Sequence, residues 1–354
     1  MSHTILRSRA PVRIDFAGGW TDVASFCRDS PGCVVNAALN VYSYATIGEN
    51  IKVDDHRHNL RERGEHHGIT LYSSDYDQYV QAESIRELEY DGNLDLVKAA
   101  VRQLGVDREF SLITQSIAPP GSGLGTSASM GVALLAVICR YAGKHPLAYE
   151  LAEEASRIER EELGILGGKQ DHYASALGGI LFLEFRGDEV RSSRMNVSRA
   201  VALELEKNLV LCYTGQSRLS GDVHARVTER FNQNDKNTVG AIEEMKRIAV
   251  EMKEALLGER MTEFASLLNR NWDCQKRLHP SVTNASIERI FETAMQNGAI
   301  GGKASGAGGG GCLVFYCRPE REHQVRRALK EEGAVIIDFN IDFFGAETWC
   351  EEIE

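Results

Sequence analysis

The clearest chemical signal lies in the glycines and hydroxyls of Pro119-Pro-Gly-Ser-Gly-Leu-Gly-Thr-Ser-Ala-Ser129. Glycines let the backbone approach a ligand closely, and the free N–H groups at a helix start, with the positive end of the helix dipole, favour an anion. The stretch therefore predicts a phosphate-binding loop, although a tight turn with a Thr or Ser helix cap is the alternative interpretation. The predicted loop residues are Pro120, Gly121, Ser122, Gly123, Leu124, Gly125, Thr126 and Ser127.

The spacing of this loop excludes the two commonest nucleotide-binding motifs. No Gly-Lys-Ser or Gly-Lys-Thr follows the glycines, as a Walker A loop requires. Glycines at 121, 123 and 125, with no suitable acid closing a following strand, do not make a dinucleotide fingerprint. A nucleoside triphosphate still fits, because the loop offers N–H groups to phosphates. A metal ion bridging those phosphates could take Ser127 and one carboxylate such as Glu159 as oxygen ligands.

A cation and two acids could complete phosphoryl transfer to a hydroxyl. Arg13 and Asp22 flank the flexible Gly18-Gly19 link and could converge on one polar ligand, or they could form a surface ion pair beside a turn. Asp171 stands at the start of a short alanine-rich helix, where it could position or deprotonate an acceptor hydroxyl. A plain helix cap is the alternative for Asp171. Lys169 beside it would hold the carboxylate ionised.

Two further features leave their role open. Glu159 ends a helical stripe of small residues and could approach another backbone closely, or it could be one more solvated acid in an acidic cluster. A second glycine-rich stretch, Gly298 to Gly311, runs into a buried strand. Because so many glycines cost folding entropy, we expect this stretch to approach a ligand or the other domain closely.

Hydrophobic periodicity predicts the elements that position these residues. Residues 110–117 alternate like a half-buried strand and residues 130–141 are apolar enough for a buried helix, so the loop between them aims a helix N-terminus at its ligand. Pro146 is expected to start a helix that runs to about Glu162. The order of strands and helices predicts an α+β fold in which antiparallel sheets are covered by helices. Two domains are expected for 354 residues, and the polar run 186–199 places the boundary after residue 195, giving domains 1–195 and 196–354.

Composition excludes several classes of function. A net charge of -11 argues against a general nucleic-acid binder, and no apolar run reaches the length that spans a membrane. The 8 cysteines form no CxxC pair, so a zinc site is not expected. A reducing, cytoplasmic location is expected. Four histidines lie in the polar insertion 54–67, which we interpret as a solvated hairpin tip and not as a metal site.

Three segments, in order and spread over nearly the whole chain, resemble the GHMP small-molecule kinases. They are Ala10-Pro-Val-Arg-Ile-Asp-Phe-Ala-Gly-Gly-Trp-Thr-Asp22, Pro119 to Ser129, and Lys303-Ala-Ser-Gly-Ala-Gly-Gly-Gly-Gly311. The first segment, together with Gly167-Gly-Lys-Gln-Asp171, looks most like the branch that phosphorylates D-glycero-D-manno-heptose 7-phosphate at its anomeric carbon, with the fucokinase branch close behind. The resemblance implies an N-terminal ribosomal protein S5 domain 2-like α/β domain and a C-terminal ferredoxin-like α+β sandwich.

The resemblance also implies roles for individual residues. Ser127 and Glu159 match the family's magnesium ligands, and Asp171 matches its catalytic base. Arg13 matches a cation that lowers the pKa of the acceptor hydroxyl. Asp22 matches an acid that binds sugar hydroxyls. Galactokinases carry Glu-His where this chain has Gly19-Trp20, which makes galactose a poor acceptor. Gly19 and Trp20 are still expected to contact the substrate, together with Arg13, Asp22 and Asp171. The second glycine stretch is expected to shape the pocket through Gly306, Ala307, Gly308 and Gly309.

The resulting hypothesis is an ATP-dependent and magnesium-dependent sugar-1-kinase. In this hypothesis Asp171 accepts or orients the anomeric proton, while Arg13 and Lys169 offset the developing charge. The phosphate already on the substrate needs a further cation, for which Lys169, Arg218 and Lys303 are candidates. The expected partners are ATP and a phosphorylated sugar, with no nucleic acid and no membrane. A homodimer and a non-catalytic sensor of sugar and nucleotide both stay open at this point.

Overall fold

The computed structural model describes residues 3–49, 51, 68–105, 108–216 and 220–353. The insertion 54–67 and Arg218 therefore lie outside the described residues. The strands are β1 (His3–Ala17), β2 (Gly32–Gly48), β3 (Ile69–Ser73), β4 (Gln78–Ala82), β5 (Phe110–Ser116), β6 (Ile180–Arg186), β7 (Glu189–Arg194), β8 (Leu209–Tyr213), β9 (Ala299–Ala304), β10 (Cys312–Cys317), β11 (Val335–Ile337) and β12 (Glu347–Ile353). The helices are α1 (Ala24–Cys27), α2 (Asp95–Leu104), α3 (Thr126–Tyr141), α4 (Ala148–Arg157), α5 (Gln170–Leu177), α6 (Arg199–Asn208), α7 (Ser220–Asn232), α8 (Lys236–Leu257), α9 (Met261–Leu278), α10 (Ala285–Gln296) and α11 (Glu322–Glu331).

A long antiparallel pair, β1 with β2, forms the centre of the first sheet. The strand order is β12-β1-β2-β5-β3-β4, and β2 also pairs with β6, which pairs with β7. The β3–β5 pair is parallel and the other pairs are antiparallel. A proline inside a strand is expected at an edge or a bend. The β1–β2 register shifts between Pro11 and Val12, and Arg9 is the last residue of β1 that pairs with β12. The missing N–H of this proline therefore falls where the β12 pairing has ended.

The second sheet is antiparallel in the order β11-β8-β10-β9 and carries helices of the C-terminal half. The polar run 186–199, used to place the domain boundary, contains β7, an edge strand of the first sheet on which only Val190 is buried. The last strand, β12, returns to pair with β1. A division into the contiguous pieces 1–195 and 196–354 therefore omits this return, and the exact boundary stays a prediction.

The two halves share one hydrophobic core. Side chains of β1, including Ile14 and Phe16, belong to the same buried cluster as Met245 of α8 and Phe264 of α9. Phe16 and Phe264 meet edge to face with ring centroids 5.2 Å apart. A second buried cluster fills the space between the first sheet and helices α2, α3 and α4. The shared core fixes how the loops of the two halves face each other.

The helix expected from Pro146 to Glu162 begins later and changes geometry. Its first α-helical residue is Ala148, because Leu147 is extended and its N–H donates to the Glu150 carboxylate at 2.7 Å. From Ile158 to Glu162 the helix is a π-helix, in which the Leu163 N–H donates to the Ile158 carbonyl at 3.0 Å. Single π turns inside helices are frequent at functional sites, because they change which side chains share a face.

Candidate active site

A cavity of about 460 Å³ lies between the two halves of the chain. Its wall combines the phosphate loop, the segment around Gly19, the residues that precede α5, the π turn, the start of α7 and the second glycine loop. Among the residues selected from the sequence, those that line it are Arg13, Gly19, Trp20, Asp22, Pro120, Gly121, Ser122, Gly123, Gly125, Thr126, Ser127, Glu159, Asp171, Gly306 and Ala307. Residues far apart in the sequence thus meet in one place.

The phosphate loop presents the free N-terminus of α3 to this cavity. The N-cap of α3 is Gly125, with φ of 73°, and no side chain caps the first turn. The alternative of a tight turn with a Thr or Ser cap is therefore wrong, and the first N–H groups of α3 stay available for an anion. Leu124 is the exception within the loop, because its side chain is fully buried and its carbonyl accepts the Arg13 N–H at 2.9 Å.

Arg13 holds the Asp171 carboxylate in a two-pronged ion pair. The Arg13 Nε–Oδ1 and Nη2–Oδ2 distances are both 2.6 Å, and Arg13 Nη1 donates to the Gly123 carbonyl at 2.7 Å. Arg13 is buried, whereas the Asp171 side chain is 24% exposed, so the carboxylate is the part of the pair that a ligand can reach. A Cβ placed on Gly125 would lie 3.0 Å from Asp171 Oδ2, which puts this carboxylate directly beside the phosphate loop.

Asp22 is a buried acid in the same wall. Its Oδ2 accepts the backbone N–H of Gln170 at 3.1 Å, and a Cβ on Gly168 would lie only 1.8 Å from that oxygen, so the position needs a glycine. Burial, and next the negative charge of Asp171, raise the pKa of Asp22 from 3.8 to about 6. The surface ion pair considered for Arg13 and Asp22 is therefore wrong, because both side chains are buried.

Glu159 faces the phosphate loop and is oriented by His172. Because a carboxylate only accepts, His172 Nε2 donates to Glu159 Oε2, at 2.7 Å. Burial acts to raise the pKa of Glu159, but the hydrogen bond and charge of His172, together with a hydrogen bond from Ser127, outweigh it and lower the pKa. Glu159 is thus an ionised carboxylate next to the Ser127 hydroxyl, not a solvated surface acid. Two hard oxygen donors at a phosphate loop suit Mg²⁺.

The second glycine stretch approaches the other half of the chain as expected. Its first part forms β9, and the loop that follows lies against the phosphate loop. The Ser305 hydroxyl donates to the Gly123 carbonyl at 3.2 Å, and the Cys312 N–H donates to the Ser122 carbonyl at 2.7 Å. A Cβ on Gly123 would lie 2.6 Å from the Ser305 carbonyl oxygen, so the two backbones are in direct contact.

Several residues selected from the sequence do not reach the cavity. The Lys169 ammonium is bound by Glu153 at 3.0 Å and by the Asp188 carbonyl at 2.9 Å, so the structure does not bring it to the reacting centre. Lys303 is fully buried and pairs with Asp15 at 2.5 Å, which makes it a structural cation. Neither is free to hold a substrate phosphate. Leu124, Gly308 and Gly309 are not part of the cavity wall either.

The structure adds wall residues that sequence reasoning missed. Ala128, Gly167, Gly168 and Gln170 lie inside segments that carry the family resemblance but had not been selected themselves. The others carry no motif, because their roles depend on the tertiary contacts of single side chains. Arg160 follows Glu159 in the π turn, and no ion pair engages it within the described ranges. His224, on α7, packs against Trp20. The missed wall residues are Tyr76, Ala128, Arg160, Ile165, Leu166, Gly167, Gly168, Gln170, His172 and His224.

Comparison with known proteins identifies the family. The model of the GHMP kinases N terminal domain matches residues 94–179, and that of the GHMP kinases C terminal matches residues 252–335. The chain is 33% identical to the D-glycero-alpha-D-manno-heptose 7-phosphate kinase of Campylobacter jejuni, over 97% of this chain and 98% of that protein. This chain is a GHMP kinase. Membership of the family confirms that the chain is an ATP-dependent phosphotransferase.

Solved structures agree with this assignment. A D-glycero-D-manno-heptose 1-phosphate kinase from Bacteriodes thetaiotaomicron superposes with a TM-score of 0.78 at 30% identity, covering 97% of this GHMP kinase and 98% of that chain. A mevalonate kinase, 19% identical, superposes with a TM-score of 0.71 over 95% of this chain and 99% of that chain, and shows the fold alone. The two-domain fold predicted from the resemblance is confirmed. Within the described ranges, no helix has the length and apolar character needed to cross a bilayer.

Proposed function

We propose that this GHMP kinase transfers the γ-phosphoryl group of ATP to the anomeric hydroxyl of D-glycero-D-manno-heptose 7-phosphate, giving the 1,7-bisphosphate. The observation that carries the reaction type is the Asp171 carboxylate, held by Arg13 and set against the phosphate loop. The acceptor is proposed from the likeness, over nearly the full length of both chains, to a kinase named for that substrate. Fucokinase activity is the second candidate, because a bifunctional fucokinase/GDP-fucose pyrophosphorylase of Arabidopsis thaliana is 27% identical over 91% of this chain and 31% of that protein.

In the proposed mechanism the loop from Gly121 to Ser127 binds the ATP phosphates through its N–H groups. Asp171 accepts a hydrogen bond from the anomeric hydroxyl and takes its proton as the new O–P bond forms and the bond between the γ-phosphorus and the bridging oxygen of ADP breaks, so that ADP leaves. Arg13 keeps that carboxylate in place and offsets charge at the attacking oxygen, which agrees with a loose transition state that needs positioning more than a strong base. Ser127 and Glu159 would hold Mg²⁺, which would neutralise phosphate charge. Lys169 has no part in this mechanism.

The phosphate of the acceptor requires a cation in the cavity wall. Lys169 and Lys303 are engaged elsewhere, and Arg218 lies outside the described residues. Arg160 lines the cavity and has no ion-pair partner within the described ranges. A guanidinium can bind a phosphate through two parallel hydrogen bonds, so Arg160 is our candidate for this contact. Arg160→Ala should raise the KM for the 7-phosphate at least tenfold and leave the KM for an unphosphorylated heptose unchanged.

The test of the function is turnover on a panel of acceptors. Purified enzyme with ATP and Mg²⁺ is offered heptose 7-phosphate, mannose 6-phosphate, fucose and mevalonate, and ADP formation and the phosphorylated product are measured. We expect the highest kcat/KM with heptose 7-phosphate. A higher kcat/KM for fucose would mean that fucose is the acceptor and that the enzyme is still a sugar kinase. No turnover with any acceptor would favour a non-catalytic sensor of sugar and nucleotide.

A further inference from the structure

Two buried amide side chains of α9, Asn271 and Gln275, hold loops from opposite halves of the chain. The Gly18 N–H donates to Asn271 Oδ1 at 3.0 Å, and Gln275 Nε2 donates to the Gly306 carbonyl at 2.8 Å. Positions four residues apart lie one above the other on a helix, so one face of α9 makes both contacts. Neither amide lines the cavity itself. The two side chains therefore act on a bound ligand only through the loops that they hold.

The two loops that these amides hold both contribute to the cavity wall. Gly18 opens a tight turn, in which the Thr21 N–H donates to the Gly18 carbonyl at 3.0 Å, and this turn carries Gly19 into the wall. Gly306 lines the cavity itself, and its N–H donates to Asp15 Oδ1 at 3.1 Å. The Gly306 loop is therefore held on both sides, by β1 through its N–H and by α9 through its carbonyl.

Each amide keeps one polar group that the protein does not satisfy. Asn271 is fully buried and Gln275 is 1% exposed, and within the described part of the chain neither Asn271 Nδ2 nor Gln275 Oε1 has a hydrogen-bond partner. Such groups cost folding free energy, and an apolar side chain would avoid that cost. Other buried positions of α9 do carry apolar side chains, such as Leu268 and Leu278. Packing of the helix alone therefore does not account for the two amides, whereas the hydrogen bonds to the loops do.

A third amide of α9, Asn269, makes contacts of a different kind. Its Nδ2 donates to the Ile300 carbonyl and its Oδ1 accepts the Gly302 N–H, both at 3.0 Å. Both of its polar groups are thus satisfied, and both partners belong to β9. Neither partner lines the cavity. Asn269 ties the helix to a strand, so it provides a comparison within α9 for hydrogen bonds that are purely structural.

We propose that Asn271 and Gln275 are positioning residues for phosphoryl transfer, which fix the two loops relative to each other from one helix face. The Gly306 loop lies against the phosphate loop, where the Ser305 hydroxyl donates to the Gly123 carbonyl at 3.2 Å. A shift of either loop therefore changes the distance between the ATP phosphates and the wall that the other loop provides. A displacement of about 1 Å can lower a rate about a hundredfold. This role requires the phosphotransferase activity of the family and no particular acceptor.

The test compares similar changes at three positions of one helix. Asn271→Leu and Gln275→Met remove the hydrogen bonds to the loops and keep side chains of similar shape. Asn269→Leu is the matched control, because it breaks two hydrogen bonds of the same helix to backbone groups. Turnover is measured with saturating ATP, Mg²⁺ and the acceptor of the panel that gives the highest kcat/KM, and the melting temperature is measured by calorimetry. We expect kcat to fall about tenfold in each of the first two variants, with less than about a threefold change in the KM for ATP. Asn269→Leu should lower the melting temperature at least as much and leave kcat within about twofold of wild type.

A conservative variant separates the hydrogen bond from the stability of the fold. Asn271→Asp keeps an oxygen that accepts the Gly18 N–H but buries a carboxyl group, so it should be less stable than Asn271→Leu and still recover most of the lost kcat. Unchanged kcat in Gln275→Met, an equal loss of kcat in Asn269→Leu, or no recovery in Asn271→Asp would each overturn the positioning role. If a change at Asn271 prevents folding, the comparison of Gln275→Met with Asn269→Leu decides. A different best acceptor in the panel would refute the proposed acceptor and leave this comparison intact.

Discussion

Replacing Asp22 by Asn should make the enzyme more stable and less active. Burial and the charge of Asp171 raise the pKa of Asp22 from 3.8 to about 6, which is still below neutral pH, so the buried carboxyl is ionised at pH 7 at a cost in stability. The Asn amide has nearly the same shape, and its oxygen can still accept the Gln170 N–H that now reaches Asp22 at 3.1 Å. The variant therefore removes a buried charge and keeps the hydrogen bond.

The size and sign of the change in unfolding free energy follow from the raised pKa of Asp22. Between pH 3.8 and about 6 the folded protein binds more protons at Asp22 than the unfolded chain does, so the unfolding free energy falls as pH rises through this range. Above about pH 6 the ionised Asp22 carboxylate lowers the unfolding free energy by its full amount, roughly 3 kcal/mol. Below pH 3.8 it is absent. Roughly half of the cost, about 1.4 kcal/mol, develops between pH 5 and pH 8.

Urea unfolding of wild type and Asp22→Asn at several values from pH 5 to pH 8 measures this difference. The gain in unfolding free energy should be larger at pH 8 than at pH 5, while kcat/KM for the acceptor falls at least tenfold. Asp29→Asn, the same change at an exposed position, is the control and should show neither effect. A gain that is the same at every pH, or a loss of stability at pH 8, would refute the argument that Asp22 carries a buried charge.

Three further predictions concern the reacting centre and the loop. Asp171→Asn should lower kcat at least a hundredfold and change the ATP affinity less than threefold, and unchanged turnover would remove Asp171 from the mechanism. Glu159→Gln should raise the Mg²⁺ concentration for half-maximal activity about tenfold, measured by metal titration at saturating substrates, and an unaltered titration would contradict a metal ligand. Gly123→Ala should raise the KM for ATP and lower the melting temperature more than Gly143→Ala does. Both glycines have positive φ, 74° and 71°, but only at Gly123 would the new Cβ meet backbone, so equal effects would exclude the contact with Ser305 as the cause.

The local elements of the fold followed from the sequence because their signals are local. The alternation in residues 110–117 and the apolar run 130–141 predicted β5 and α3, and the glycines between them predicted the loop. Helical periodicity in the C-terminal half predicted helices at about 238–257, 260–278 and 284–297, and the bounds of α8, α9 and α10 lie within about two residues of these. The pairing of β12 with β1 was not predicted, because it joins residues more than 330 positions apart and leaves no periodic signal.

Which carboxylate each Lys or Arg side chain pairs with depends on the tertiary structure, and the sequence does not show it. Lys169 precedes Asp171 by two residues, yet its ammonium binds Glu153. Lys303 belongs to a segment that resembles the family, but its ammonium forms a buried ion pair with Asp15. Arg13, 158 positions away in the sequence, is the cation that pairs with Asp171. Proximity along the chain therefore predicted the wrong pair, since side chains four or five bonds long select partners in three dimensions.

The sequence by itself determined the chemistry that this protein can perform. Glycine positions, the Ser127 hydroxyl and the acids Glu159 and Asp171 predicted a phosphate-binding loop, because backbone freedom and side-chain type are properties of single residues, and the resemblance of three segments predicted a kinase. Tertiary structure alone decided how these groups are used. Folding two halves over one core brought His224 against Trp20 and buried Asp22 beside Asp171. Such contacts depend on the closure of the chain over long loops, and so they set the acceptor side of the site.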